Sequence, residues 1–137
     1  MKKMAVVLLG AFLFLNVSVT STYAANDDTV YQQVLEQVQE TNEEISEKIA
    51  EADERADEIL AEAKEEASTN AARSEEIFAK ANQELDKLIA VLINETNALA
   101  ENTKRYGESR GYEIICELVE VEIGDRKVWI DPLRVGH

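Results

Sequence analysis

The chain has 137 residues, a formal net charge of −14 and a single cysteine, so its length corresponds to one small domain. Nucleic-acid binding is disfavoured because it requires lysine and arginine to neutralise phosphates, and a lone cysteine excludes a framework of intramolecular disulfides. The acidic charge favours a protein partner with a basic surface over nucleic acid and anionic lipid. Self-association is the other expectation, and it depends on the helical region described below rather than on the charge.

Residues 1–24 have the pattern of a secretory signal peptide. Lys2 and Lys3 precede an apolar run from Ala5 to Leu15, and small and polar residues then lead to Ala24. The apolar run is shorter than the roughly 20 residues that a membrane span needs. We therefore predict cleavage after Ala24, no stable membrane anchor after cleavage, and a secreted or cell-envelope-associated bacterial protein. Loss of the two lysines changes the formal net charge from −14 to −16.

Residues 25–106 are predicted to form an acidic α-helical coiled-coil region. No glycine lies between Gly10 and Gly107, and the intervening sequence is rich in Ala, Glu, Leu and Gln, which are among the best helix formers. A capping box formed by Thr29 and Gln32 marks the start of the helical region. Gly107 is the expected left-handed residue at its end.

Two apolar stripes run through this region with spacings of three and four residues. The first comprises Tyr31, Leu35, Val38, Asn42, Ile45, Ile49, Ala52, Ala56, Ile59 and Ala63. The second comprises Phe78, Ala81, Leu85, Leu88, Leu92, Glu95 and Leu99. Such heptad spacing is typical of coiled coils, and a polar residue such as Asn42 within a stripe is expected to fix register or oligomeric state.

The two stripes are out of phase, which leaves two architectures open. Ala63 and Phe78 are fifteen residues apart, one more than two heptads, and residues 68–74 are the most polar part of the interval. A turn near 68–74 would give an antiparallel helical hairpin. A continuous helix with a local change of supercoil would instead give a rod of roughly 115 Å.

Residues 107–137 are predicted to contain a small β-hairpin and a tail. Apolar residues alternate with glutamate before Gly124, and a glycine-first two-residue turn matches the twist of the flanking strands. The predicted cross-strand pairs are Val119–Ile130, Glu120–Trp129, Val121–Val128 and Glu122–Lys127. Pro132 is expected to end the second strand or to place it at a sheet edge. The fold class is thus mainly α, with a long helical hairpin or rod followed by a β-hairpin.

The sequence contains no pattern that indicates a catalytic, cofactor-binding or specific metal site, so we expect no enzymatic activity and no cofactor. The candidates for contact with a partner are Trp129, Tyr112 and Cys116. Trp129 falls on the hairpin face opposite the Val/Ile core, where it either caps an edge of the helix packing or is an exposed anchor for a partner, since tryptophan is enriched at interface hot spots. Cys116 lies in an apolar run, which favours burial over pairing between chains.

These features predict an exported, non-enzymatic structural or interaction protein. Its coiled coil would act as a spacer or oligomerisation module, and its β-hairpin would pack on a helix or contact a partner. The alternative is an acidic, protective or chaperone-like protein that is only loosely helical when alone.

Overall fold

The protein is a pair of long helices followed by short antiparallel strands, as the sequence predicts. The computed structural model describes residues 28–136, so the predicted signal peptide lies outside the described residues. The elements are α1 (Asp28–Thr69), a 3-10 turn (Ala71–Arg73), α2 (Ser74–Glu108), β1 (Ile114–Cys116), β2 (Val119–Ile123), β3 (Arg126–Ile130) and β4 (Leu133–Val135). Neither helix is apolar enough over sufficient length to cross a membrane.

The chain reverses direction at Asn70, and α1 then packs along α2 as an antiparallel helical hairpin. Side-chain hydroxyls help to end α1, because Ser68 Oγ donates to Glu65 O (2.8 Å) and Thr69 Oγ1 donates to Glu66 O (3.0 Å). The 42 residues of α1 span about 63 Å, roughly half the length of the alternative rod.

The apolar stripe predicted for α1 forms its buried face. Tyr31 and Leu35 are half-buried, and the other eight members of the stripe are buried. The stripe predicted for α2 is partly wrong, because Phe78 and Glu95 are exposed while Ile77 and Thr96 are buried. The buried residues of α2 are Ile77, Ala81, Leu85, Leu92, Thr96, Ala100, Thr103 and Gly107.

The error in α2 arises from the repeat length. Ala81, Leu92 and Thr103 are eleven residues apart, as are Leu85, Thr96 and Gly107. Eleven residues over three turns stay close to the natural period of an α-helix, whereas heptads require left-handed supercoiling. The buried stripe of α2 therefore departs from a strict heptad.

Gly107 does not end α2, contrary to the sequence expectation. It is buried within α2, and Gly111 instead carries the positive φ of 89° beyond the helix. A Cβ atom at Gly107 would lie 2.5 Å from Cγ1 and Cδ1 of Ile114 and 3.5 Å from Cγ1 of Val34. Glycine at this position permits the close approach of β1 to the helical hairpin.

Strands β2 and β3 pair in the predicted register, including Glu120 with Trp129 and Val121 with Val128. A second ladder, β1 with β4, was not predicted, because Pro132 was expected to end the hairpin. Continuing three positions from the pair Val119–Ile130 leads to Cys116–Leu133, so both ladders share one register. We call these paired strands, residues 114–135, the β-ribbon.

Pro132 interrupts the β-ribbon without changing its register. Glu117 N donates to Pro132 O (3.0 Å), but proline has no N–H to return the second hydrogen bond of the pair. Beyond the ladder, Gly136 N donates to Glu113 O (2.7 Å), which continues the same alternation.

The β-ribbon turns over at this interruption. Strands β2 and β4 contact α1, whereas β1 and β3 contact α2, so each side of the ribbon changes helices. The side chains that face the helices therefore change from even-numbered positions in β3 (Val128 and Ile130) to odd-numbered positions in β4 (Leu133 and Val135). As a result, β2 and β3 complete one apolar core over the middle of the helices, and β1 and β4 complete a second near Val34 and Ala100.

Candidate partner-contact surface on the β-ribbon

The three candidate residues lie in different environments. Trp129 is 57% exposed on the outer face of β3. Tyr112 is half-buried and packs against Tyr31, with ring centroids 5.4 Å apart, so it belongs to the second core. Cys116 is exposed, and the expectation that it is buried was wrong. It lies two residues after the buried Ile114, at the point where the β-ribbon turns over.

Trp129 is one of five side chains on the outer face of the part of the β-ribbon that contains β2 and β3. We call this group the Trp129 surface: Leu118, Glu120, Glu122, Lys127 and Trp129, all of them exposed. Leu118 is 62% exposed, and it was not recognised from the sequence. The signal was its position two residues before Glu120, which places it on the outer face by strand alternation.

A buried polar contact with Asn42 of α1 anchors strand β4 of the β-ribbon to the helical hairpin. Asn42 is 2% exposed, its Nδ2 donates to Leu133 O (2.7 Å), and its Oδ1 accepts from Leu133 N (2.9 Å). Asn42 thus satisfies both backbone groups of an edge residue of β4. The expectation that it fixes register between helices or chains is replaced by a contact within one chain. A second buried contact, between the hydroxyls of Thr41 and Thr103, joins the two helices.

Two further contacts fix the turn end of the β-ribbon. Gly124 N donates to Asp53 Oδ1 (2.8 Å), and a Cβ at Gly124 would lie 2.9 Å from Ala56 Cβ, so the turn rests directly on α1. On the other side, Arg126 pairs with Asp86 of α2. The Trp129 surface is therefore carried by a ribbon that is anchored to both helices.

The thiol of Cys116 has a raised pKa. Partial burial raises the pKa of Cys116, the Asp131 carboxylate raises it further, and Lys104 acts in the opposite direction. A raised pKa keeps the thiol protonated at neutral pH, and the thiolate is the reactive form. Asp131 Oδ1 is itself buried and makes no hydrogen bond to any residue between 28 and 136.

The remaining surface is dominated by charge. Nine exposed glutamates follow one another along α1 with spacings of three and four residues: Glu36, Glu40, Glu43, Glu47, Glu51, Glu54, Glu58, Glu62 and Glu65. Near the helical turn, a cleft of about 410 Å³ between the helices is lined by charged residues that include Glu66, Arg73 and Lys80. No group of three His, Cys, Asp or Glu side chains within 28–136 is arranged to hold a metal ion.

The fold and this surface define the protein as an antiparallel helical hairpin that carries a β-ribbon. No protein-family model matches the chain, and neither a curated protein nor a solved structure shows significant similarity to it.

Proposed function

We propose that this protein is an exported, non-enzymatic interaction protein whose helical hairpin is a stiff support and whose Trp129 surface contacts a partner protein. The observation that carries the proposal is the exposure of Trp129 and Leu118, at 57% and 62%, on an anchored β-ribbon. Tryptophan is highly buried on average in folded proteins and is enriched among the residues that dominate binding energy. The apolar stripes of both helices pack within one chain, which favours a supporting role over oligomerisation through those stripes.

Site-specific photo-crosslinking in the native host tests this proposal. A photoreactive amino acid replaces Trp129 in one variant and Val91 in a matched control, because Val91 is a similarly exposed apolar residue (53%) on α2. We expect a discrete protein adduct from position 129 that is absent from position 91. Equal adducts from both positions, or none from position 129, would contradict the proposal.

The acidic stripe along α1 supports a second candidate, the protective or chaperone-like role. That role requires a chain that is loosely helical in dilute buffer and gains structure on crowding or binding. Far-UV circular dichroism during heating separates the two candidates. High helicity with a cooperative melt would exclude the second, and low helicity without a cooperative transition would favour it.

A further inference from the structure

The pairing pattern of the β-ribbon places Glu120 directly opposite Trp129. The two-residue turn makes Ile123 and Arg126 a hydrogen-bonded pair, and the pairs then alternate along the antiparallel ladder. Glu120 and Trp129 are consequently a non-hydrogen-bonded pair, in which the Cα atoms are only about 4.5 Å apart. Their side chains project from the same outer face, so a carboxylate stands beside an exposed indole ring.

Neither group is occupied by another side chain of the protein. Glu120 takes part in no ion pair with residues 28–136. Among residues 28–136, Arg110 lies over the ring of Tyr106, but no cation lies over the ring of Trp129. In the ladder Lys127 lies opposite Glu122, whereas Trp129 lies opposite Glu120, so no cation faces Glu120 directly across the strands.

We infer that Glu120 and Trp129 form a recognition site for an arginine side chain in a basic segment of the partner. This inference rests on the proposed function and specifies its partner chemistry. A guanidinium group stacks on an indole face and pairs with a carboxylate, and Glu120 and Trp129 present both groups together. Leu118 immediately precedes β2, is exposed, and provides apolar surface for the methylene groups of arginine.

Charge complementarity selects this occupant over the alternatives. A second copy of the chain is disfavoured because each copy carries a formal net charge of −14, or −16 after loss of Lys2 and Lys3 with the predicted signal peptide. An acidic segment would be repelled by Glu120 and by the glutamates of α1. A purely apolar segment would leave the Glu120 carboxylate without a partner in a contact that removes water from it.

The single tryptophan makes the site directly observable. Trp129 is the only tryptophan among the 137 residues, so intrinsic fluorescence reports on this position alone. The probe is a hexa-arginine peptide, titrated into the protein purified after export. We expect a saturable change in Trp129 fluorescence that a hexa-glutamate peptide does not produce.

Matched variants separate a local site from diffuse attraction to an acidic protein. Glu120→Gln removes the carboxylate beside Trp129, whereas Glu43→Gln removes one exposed carboxylate from the outer stripe of α1. We expect Glu120→Gln to raise the Kd by roughly two- to fivefold, the effect of one exposed charge pair, and Glu43→Gln to leave it unchanged. Lys127→Gln should lower the Kd, because it removes a positive charge from the Trp129 surface.

The results also distinguish this inference from the proposed function. Equal effects of Glu120→Gln and Glu43→Gln, or the absence of any fluorescence change, would overturn the arginine site. A discrete adduct from position 129 in the crosslinking experiment would still support partner contact at the Trp129 surface in that case. Absence of the adduct together with a Glu120-specific Kd change would instead refute the native partner role.

Discussion

The contact between Asn42 and β4 gives the strongest prediction for stability. Asn42→Ala leaves Leu133 N–H and C=O without their partners at a site where Asn42 is 2% exposed. An unpaired buried polar group costs about 1–3 kcal/mol, so the loss of both contacts should lower the free energy of unfolding by about 2–5 kcal/mol. That is a large share of the total for a small domain, which is about 5–15 kcal/mol.

Denaturant unfolding followed by far-UV circular dichroism measures this difference. Asn97→Ala is the matched control, because Asn97 is an exposed asparagine in α2 and should change the stability by no more than about 0.5 kcal/mol. If Asn42→Ala and Asn97→Ala lowered the stability equally, the anchoring role of Asn42 would be refuted.

Asn42→Asp adds a pH dependence whose sign follows from the same geometry. One carboxylate oxygen can still accept from Leu133 N–H, but the other would face Leu133 O. Burial and this repulsion should raise the pKa of the introduced carboxyl above its unfolded value of about 3.9. The variant should therefore be closest to wild-type stability below pH 4, where the carboxyl is protonated and can donate to Leu133 O, and lose stability as the pH rises. An equal deficit at pH 4 and pH 7 would contradict this.

Two further predictions concern Gly107, which packs against the start of β1, and Cys116, which lies at the end of β1. Gly107→Ala should lower the free energy of unfolding by about 1–3 kcal/mol, because the new Cβ would overlap Ile114, and thermal melts should show less than additive loss when it is combined with Ile114→Ala. Asp131→Asn should lower the pKa of Cys116 and speed its alkylation by iodoacetamide near pH 8, although partial burial, the larger cause, remains. An additive double variant, or an alkylation rate unchanged by Asp131→Asn, would count against the respective argument.

The parts of the fold that the sequence predicts are those governed by local periodicity. The stripe from Val38 to Ala63 and the register Val121–Val128 follow from residue spacing and a turn signal, and the structure has both. The heptad pattern loses its phase near residues 68–74, but this signal does not distinguish a hairpin from a rod, because both bury the same apolar stripe. Packing between distant segments decided between them.

The parts that could not be predicted depend on long-range contacts. Asn42 and Leu133 are 91 positions apart, and nothing local to either residue indicates their pairing. Gly107 resembles a helix end in sequence, but its role is set by the proximity of Ile114. Pro132 was a reasonable strand terminator, yet its carbonyl still accepts from Glu117 and the ladder continues in register.

The same division holds for the candidate surface. Strand alternation was sufficient to place Trp129 and Glu120 on the outer face. Cys116 was misplaced because its apolar run does not reveal that the β-ribbon turns over at Pro132 and leaves Cys116 exposed. That turning is a consequence of packing two halves of the ribbon on two different parts of the helical hairpin.

Size-exclusion chromatography with light scattering and small-angle X-ray scattering on residues 25–137 determines whether both apolar stripes are buried within one chain. Burial of both stripes within one chain leaves the Trp129 surface available for a partner. We predict a monomer whose maximum dimension is about 65 Å, set by the length of α1. An elongated dimer or larger oligomer, with a maximum dimension beyond about 110 Å, would contradict it, because the helices would then form a continuous rod.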